Sequence, residues 1–243
     1  MWLLGYPAAS RNDIELALKK AREIGHNNTL LNALFQAGLI TFFRGNYAAS
    51  SAQLDELIAF ADERGAYWKA LGTAARGWLL ALTGNAADAV RAITSGITSL
   101  RSTETTLYEP QRLQYLAMAY AELGQLNDAW RCIDDAIETI ERSKEKWGEA
   151  EVHRIAGEIA LKSPEPDAEK AEAYFDRALA VARRQQAKSW ELRAATSMAR
   201  LWRDQGKRQQ AHELLTPIYG WFTEGFDTLD LREAKTLLDN LRA

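Results

Sequence analysis

Residues 116–137 read "LAMAYAELGQLNDAWRCIDDAI", and this stretch decides the fold of the chain. Apolar and small residues recur at helical spacing before Gly124 and again from Ala129 onward. A glycine at that point suits the left-handed residue that ends a first helix. The stretch therefore predicts two amphipathic helices joined by a tight turn.

The same pattern returns along the whole chain. A glycine is followed five positions later by a small residue at Gly5, Gly45, Gly84, Gly124 and Gly206, and "KSPEPDAEKAEAYF" (162–175) carries a longer turn in place of the glycine. The small residues are Ser10, Ser50, Ala89, Ala129, Ala171 and Ala211. They step by 40, 39, 40, 42 and 40 positions. A period of this size and regularity predicts stacked helical repeats.

A second set of small residues lies seven positions before each turn, where two helices must approach closely. Its members are Gly38, Gly77, Ala117, Gly157 and Ala199. No alternating β-branched run or Asn-Gly hairpin signal is present. We predict an all-α fold, a right-handed α-α superhelix of about five helix pairs. Residues 1–26 are predicted to be the second half of a truncated repeat, 27–226 the helical-hairpin repeats, and 227–243 a capping helix.

These residues resemble the tetratricopeptide (TPR) pattern: a small residue, a glycine turn seven positions later, then an alanine and an apolar residue four positions beyond it. The period near 40 is similar to the long-helix variety in bacterial signal-transduction ATPases of the maltose-operon-activator type. The phrases "AREIGHNNTLLNAL" (21–34), "GEAEVHRIAGEIAL" (148–161) and, most closely, residues 183–241 resemble one group of proteins. That group is the C-terminal repeat region of large bacterial regulators.

Such regulators carry a class III adenylate/guanylate cyclase domain or a DNA-binding domain ahead of an ATPase module, so the resemblance implies a regulatory role. It covers essentially the whole chain. It departs at "SGITSLRSTETTLYEP" (95–110), where the Ser/Thr content leaves the end of the helix near Leu100 open.

The two ends of the chain differ in character. "MWLL" reads as the last turn of a first helix, so the first repeat lacks most of its front half, and Met1 is interpreted as a truncation point. A complete small helical protein with a frayed start is the alternative. At the other end, Asp227 or Thr228 is predicted as the N-cap of a capping helix with an apolar stripe at Leu231, Leu237, Leu238 and Leu241.

Bulk composition narrows the function classes. The net charge of −3 and the pI near 5.8 give no basic footprint for nucleic acid. No apolar run approaches the ~20 residues that span a bilayer, and the N-terminus lacks the features of a secretory signal. The single cysteine, Cys132, rules out an internal disulfide and favours a reducing compartment, so the expected location is cytoplasmic.

No catalytic constellation is visible in the sequence. His26, His153 and His212 lie in different repeats without the paired spacing of a helical zinc site. The nucleotide-binding, dinucleotide-binding and nucleophile-elbow motifs are all missing. We therefore expect no enzyme activity from this chain, and no cofactor or metal.

First helices line the concave surface of a right-handed repeat solenoid, where ligands usually bind. Repeat register places on that surface an apolar and aromatic set in the early repeats and a charged set in the later ones. The first comprises Phe35, Leu39, Phe42, Phe43, Leu71, Trp78, Tyr115 and Met118. The second comprises Glu151, Arg154, Glu158, Arg193, Arg200 and Arg203, whose arginines could fork onto a carboxylate or phosphate.

Each set has a structural alternative. The aromatics, and four more in "TPIYGWFTEGF" (216–226), could be packing between helices rather than a binding surface. The arginines could pair with nearby carboxylates of the chain, as in Arg154 with Glu158 or Arg200 with Asp204.

Two functional hypotheses follow. The first is a protein-interaction or scaffold module that binds a protein or peptide partner, upstream domains of the same polypeptide, or a second copy as a homodimer. The alternative is a sensor domain in which a small effector occupies the groove and regulates upstream cyclase or ATPase domains. Neither involves nucleic acid or a membrane.

Overall fold

The computed structural model describes residues 1–61, 65–101 and 105–242. In these residues the chain forms helices and no strand. A 3-10 helix, Trp2–Leu4, comes first. The α-helices are α1 (Pro7–Ile24), α2 (Asn27–Phe43), α3 (Tyr47–Ala61), α4 (Ala66–Leu82), α5 (Ala86–Arg101), α6 (Glu109–Glu122), α7 (Leu126–Ser143), α8 (Glu149–Leu161), α9 (Ala168–Arg184), α10 (Lys188–Asp204), α11 (Arg208–Tyr219) and α12 (Leu229–Arg242).

The helices separate into two compact units. The first unit is Ala9–Glu145, with the pairs α2/α3, α4/α5 and α6/α7. The second unit joins Lys146–Ala243 to the first eight residues of the chain, and holds the pairs α8/α9 and α10/α11 together with α12. The predicted all-α fold of consecutive helix pairs is confirmed. We call α2, α4, α6, α8 and α10 the first helices of their pairs.

The turns within the pairs follow the predicted chemistry. Gly45 and Gly124 have φ of 79° and 73°, in the left-handed region that favours glycine. Each lies between the end of a first helix and the start of its partner, as the repeat pattern predicts. Helix α5 ends at Arg101, one residue beyond Leu100, and residues 102–104 of the predicted irregular joint lie outside the described residues.

The small residues of the first helices mark close helix contacts. A Cβ on Gly77 would lie 2.5 Å from a side-chain carbon of Ile93 and 3.1 Å from its backbone nitrogen. A Cβ on Gly157 would lie 2.4 Å from the buried ring of Phe175. Both distances are far below a van der Waals contact, so any larger residue would push the two helices of the pair apart.

Helix α12 closes the apolar core of the second unit. It begins at Leu229, directly after Thr228, and packs against α10 and α11. The predicted stripe of Leu231, Leu237, Leu238 and Leu241 is buried in that core. Each leucine is at most 7% exposed, which makes α12 an integral part of the unit.

The first residues of the chain belong to this same unit. The Trp2 ring is 4% exposed and meets Trp190 edge-on, with 4.8 Å between the ring centroids. The Trp2 carbonyl accepts a 2.6 Å hydrogen bond from the Ser189 hydroxyl on α10. The backbone N–H of Ala8 donates to the Glu224 carboxylate at 2.9 Å. Buried aromatic contact and hydrogen bonds together fix this segment on the second unit.

Helix α1 presents much of its surface to solvent. Leu16 and Ile24 are 57% and 65% exposed, whereas Ala21 is buried. Arg22 reaches across to α3 and forms an ion pair with Glu56 at 2.8 Å. No described helix combines the length and apolar character needed to cross a membrane.

Candidate functional site

An aromatic cluster joins the first helices of the first unit. Phe42 on α2, Trp78 on α4 and Tyr115 on α6 contribute one ring each. Trp78 and Tyr115 stack at 5.2 Å, and Phe42 lies 6.1 Å from Trp78 and 5.4 Å from Tyr115. All three side chains are at most 2% exposed. The cluster is therefore part of the packing between first helices.

The remaining apolar residues of the predicted surface lie close to this cluster. Phe35 packs between Trp68 and Tyr108, at centroid distances of 6.2 and 5.4 Å, and Leu39 is 3% exposed. Phe43 and Leu71 are also buried, and Met118 is half-buried. Of this set, Met118 retains the most contact with solvent, so the role of the others as ligand contacts stays a prediction.

Two glutamines that the sequence analysis did not single out lie on α6. Gln111 and Gln114 are 1% and 0% exposed, and neither carboxamide has a hydrogen-bond partner among the described residues. A buried polar group without a partner costs about 1–3 kcal/mol. Their i, i+3 spacing within an otherwise buried helix is the signal that could have identified them.

Four of the six charged residues predicted for the second unit form an ion-pair chain around Glu151, whose side chain is 2% exposed. Arg154 grips Glu151 with two hydrogen bonds of 2.8 and 2.9 Å, and contacts Glu158 at 3.2 Å. Arg193 contacts Glu151 at 3.2 Å and Asp230 of α12 at 2.9 Å. Carboxylates and guanidiniums alternate along three helices, α8, α10 and α12. Arg154 and Arg193 are thus satisfied by the chain itself.

Burial and pairing act in opposite directions in this chain of charges. Burial alone would raise the pKa of Glu151, but Arg154 and Arg193 hold that pKa below its ordinary value. Asp230 differs, because burial raises its pKa although Arg193 acts against the shift. The Arg193 guanidinium also lies over the rings of Trp2 and Trp190, at 5.2 and 5.1 Å.

The other two predicted arginines lie at the surface, in what we call the guanidinium cleft. This open cleft of about 450 Å³ runs between α10 and α12. It is lined by Arg200, Arg203, Leu229, Arg232, Glu233, Thr236, Leu237 and Asn240. The side chains of Arg200 and Arg203 are 41% and 34% exposed. Arg232, on the predicted capping helix, lines the same cleft although no sequence pattern indicated it.

The aromatic stretch at 216–226 divides between two environments. Phe222 is 5% exposed and lies in the core, with Tyr219 packed against it. Trp221 and Phe226 are 38% and 48% exposed, and Trp221 meets Tyr6 at 5.6 Å. The stretch therefore seals the core and also leaves an aromatic surface beside the N-terminal segment.

Neither Cys132 nor His153 has the surroundings of a reactive group. Burial raises the pKa of the Cys132 thiol to about 11, so the thiolate is disfavoured at neutral pH. Burial, assisted by Arg177, lowers the pKa of His153 to about 4. Its ring stacks on Tyr174 at 6.2 Å, and its Nδ1 has no hydrogen-bond partner in the described part of the chain.

Because the pKa of His153 is lowered, we expect this residue to reduce the free energy of unfolding at acidic pH. Between pH 6.5 and 4 the unfolded chain binds a proton that the folded chain does not, so stability falls as the pH drops. From pH 7.5 to 4.5 the wild type should lose about 2–3 kcal/mol more than His153→Gln. Urea denaturation at both pH values measures this. Substituting the exposed His26 with glutamine is the control and should match the wild type; equal acid sensitivity in His153→Gln would contradict the prediction.

Comparison with known proteins gives likenesses of fold. No protein-family model and no curated protein sequence matches the chain. A Rap protein solved in complex with Competence and Sporulation Factor superposes with a TM-score of 0.70 and 15% identity, covering 91% of this chain. This chain spans 61% of the length of that Rap chain.

Two further solved structures are similar in fold. BtubC (BKLC) from P. vanneervenii gives a TM-score of 0.56 at 14% identity, covering 97% of this chain and 89% of its own. A putative kinesin light chain with nearly identical TPR-like repeats, from Podosopora anserina, gives 0.50 at 16% identity, covering 80% and 95%. These superpositions show a shared TPR-like fold. Because the identities are only 14–16%, they show nothing finer than the fold.

Proposed function

We propose that this chain is a non-catalytic protein-interaction module of a bacterial signalling or transcription regulator, and that it binds a peptide or partner domain on the face formed by its first helices. The observation that carries the proposal is the guanidinium cleft beside α10. There, Arg200 and Arg203, which repeat register predicts for this face, remain accessible to solvent.

Three further observations support the proposal. The Rap protein of similar fold was solved in complex with Competence and Sporulation Factor, so an architecture of this kind can hold a ligand. The resemblance of residues 183–241 to the repeat region of bacterial regulators supplies the regulatory context. The surroundings of Cys132 and His153 suit packing better than nucleophilic or acid–base catalysis.

Display selection with a random peptide library tests this function. Selected peptides are synthesised, and their Kd values for the full chain are measured by fluorescence polarisation. We expect bound peptides to slow amide hydrogen exchange most in α10 and in α12, the two helices that line the guanidinium cleft. The second helices α3, α5, α7, α9 and α11 should be unaffected. Protection confined to the second helices would contradict the proposal.

A small-molecule screen by thermal shift tests the alternative function, a sensor that binds a small effector. A ligand present at a hundred times its Kd adds about 2.7 kcal/mol of stability, which a melting curve resolves. A chain that binds no peptide but is stabilised by a nucleotide or sugar would overturn the interaction module in favour of the effector sensor.

A further inference from the structure

We infer that the guanidinium cleft between α10 and α12 binds the carboxylates of an acidic peptide segment. This inference rests on the proposed function, because it names the chemistry of the partner and the place where it binds. Three guanidiniums, from Arg200, Arg203 and Arg232, line the cleft against the single carboxylate of Glu233. The lining therefore carries excess positive charge in a chain whose net charge is −3.

The three arginines differ in the ion pairs that they form within the chain. Arg200 pairs with Glu233 at 2.6 Å, and Arg203 pairs with the adjacent Asp204 at 2.8 Å. Arg232 forms no ion pair with any residue in the described part of the chain. Its guanidinium is thus available to an incoming anion without any rearrangement of charge.

The existing ion pairs present a small barrier to a ligand. Both partners of the Arg200–Glu233 pair are more than 40% exposed, and exposed pairs of this kind contribute about 0–1 kcal/mol. A peptide carboxylate can take the place of Glu233 at Arg200 and gain a charge-assisted hydrogen bond in return. Arg154 and Arg193 differ, since both pair with Glu151, whose side chain is 2% exposed.

The shape of the cleft favours a peptide over a compact anion. Arg200 and Arg203 are three residues apart on one face of α10, and Arg232 comes from α12, so positive charge comes from both helices that line the cleft. Leu229, which is half-buried, adds apolar surface to the lining. A segment with several carboxylates on aliphatic stems can pair with guanidiniums of both helices and place its stems against Leu229, whereas a phosphate ion has no apolar part for that contact.

The test is fluorescence polarisation of the full chain with a fluorescein-labelled hexaglutamate peptide, and with hexaglutamine as the uncharged comparison. Arg200→Glu combined with Arg203→Glu should weaken hexaglutamate binding roughly tenfold or more. Removing the competing charge with Glu233→Gln should tighten binding about threefold. Added salt should weaken binding in the wild type, because the cleft is open to solvent.

The matched control reverses the charge at two arginines that lie outside the cleft. Arg91→Glu with Arg131→Glu makes the same change in net charge. Both side chains are about 70% exposed, and each pairs with an aspartate three positions earlier on its own helix. This control should keep the wild-type Kd. Circular dichroism establishes that each variant is folded, and the milder pair Arg200→Met with Arg203→Met replaces the reversal if it is not.

Several results would overturn the inference. One is equal weakening by the cleft and control pairs, and another is an unchanged Kd in the cleft pair. Tighter binding of inorganic phosphate or a single-stranded oligonucleotide than of hexaglutamate would assign the cleft to phosphate chemistry instead. If display-selected peptides still protect the first helices while hexaglutamate does not bind, the inference fails and the proposed function stands. If no peptide binds at all, both fail.

Discussion

Replacing Arg193 with methionine is expected to lower the free energy of unfolding by about 3–5 kcal/mol. The guanidinium is the point where four parts of the second unit meet. It contacts Glu151 of α8 and Asp230 of α12, and its plane lies over Trp190 of its own helix and Trp2 of the N-terminal segment. Methionine keeps much of the packing volume but leaves two buried carboxylates with less compensation.

The size of this effect follows from the stranded charges. Breaking a buried ion pair by removing one partner costs far more than the pair contributes, because the remaining charge stays desolvated. Without Arg193 the pKa values of Glu151 and Asp230 in the folded state must rise. A carboxyl group whose pKa is raised by folding destabilises the fold as the pH rises above its unfolded value. The deficit in Arg193→Met should therefore be larger at pH 7 than at pH 4.

Urea denaturation followed by tryptophan fluorescence measures the change. Arg200→Met, two turns further along α10, is the matched control and should cost less than about 1 kcal/mol because its ion pair is exposed. Adding Glu151→Gln and Asp230→Asn to Arg193→Met should recover part of the loss. A cost as small as that of the control, or no recovery, would show that the ion-pair chain is not what stabilises this junction.

The second large effect on stability is expected at Trp2, near the start of the sequence. Trp2→Ala should lower the free energy of unfolding by about 3–5 kcal/mol, the range for truncating a buried aromatic side chain. The indole is 4% exposed, contacts Trp190 and stacks with the Arg193 guanidinium. Hydrogen exchange should accelerate in α10 and α12 and remain unchanged in α4 and α5.

Leu4→Ala tests the specificity of this result. Leu4 belongs to the same 3-10 helix but is 45% exposed, so its truncation should change stability by less than about 0.5 kcal/mol. Similar decreases in the free energy of unfolding for the two variants would mean that the buried Trp2 side chain contributes no more to stability than the exposed Leu4 side chain. Faster exchange in α4 and α5 would contradict the assignment of Trp2 to the second unit.

The helix pairs could be predicted from sequence because their causes are local. A left-handed glycine after a first helix acts within one pair, as Gly45 shows. A small residue seven positions before the turn also acts within one pair, as Gly77 shows. These positions recur at a nearly fixed period, so one well-formed repeat identifies the others. The stripe of leucines in α12 was predictable because the helical spacing of apolar residues is also a local signal.

The pairing of charges depends on register between repeats, which is harder to extract from one sequence. Glu151 and Arg193 are 42 positions apart, and Glu158 and Ser197 are 39 apart, so each pair is separated by about one period. That spacing is the signal that could have identified the ion-pair chain. The local alternative predicted Arg200 with Asp204, whereas the structure pairs Arg200 with Glu233 of α12. Helix α12 lies outside the regular repeat, so periodicity could not place Glu233 or Arg232.

The position of Trp2 has no sequence signal, and it has a consequence for the order of folding. Its carbonyl bonds to Ser189, 187 positions away. Closing so long a loop carries an entropy cost that only completed native contacts offset, and contacts of this separation form slowly. During synthesis, Trp2 leaves the ribosome long before α10 and α12 exist, while the first unit has all its residues once Glu145 has emerged. Trp2 therefore gains its native contacts only after α10 has been synthesised, so the second unit completes its core after all residues of the first unit have emerged.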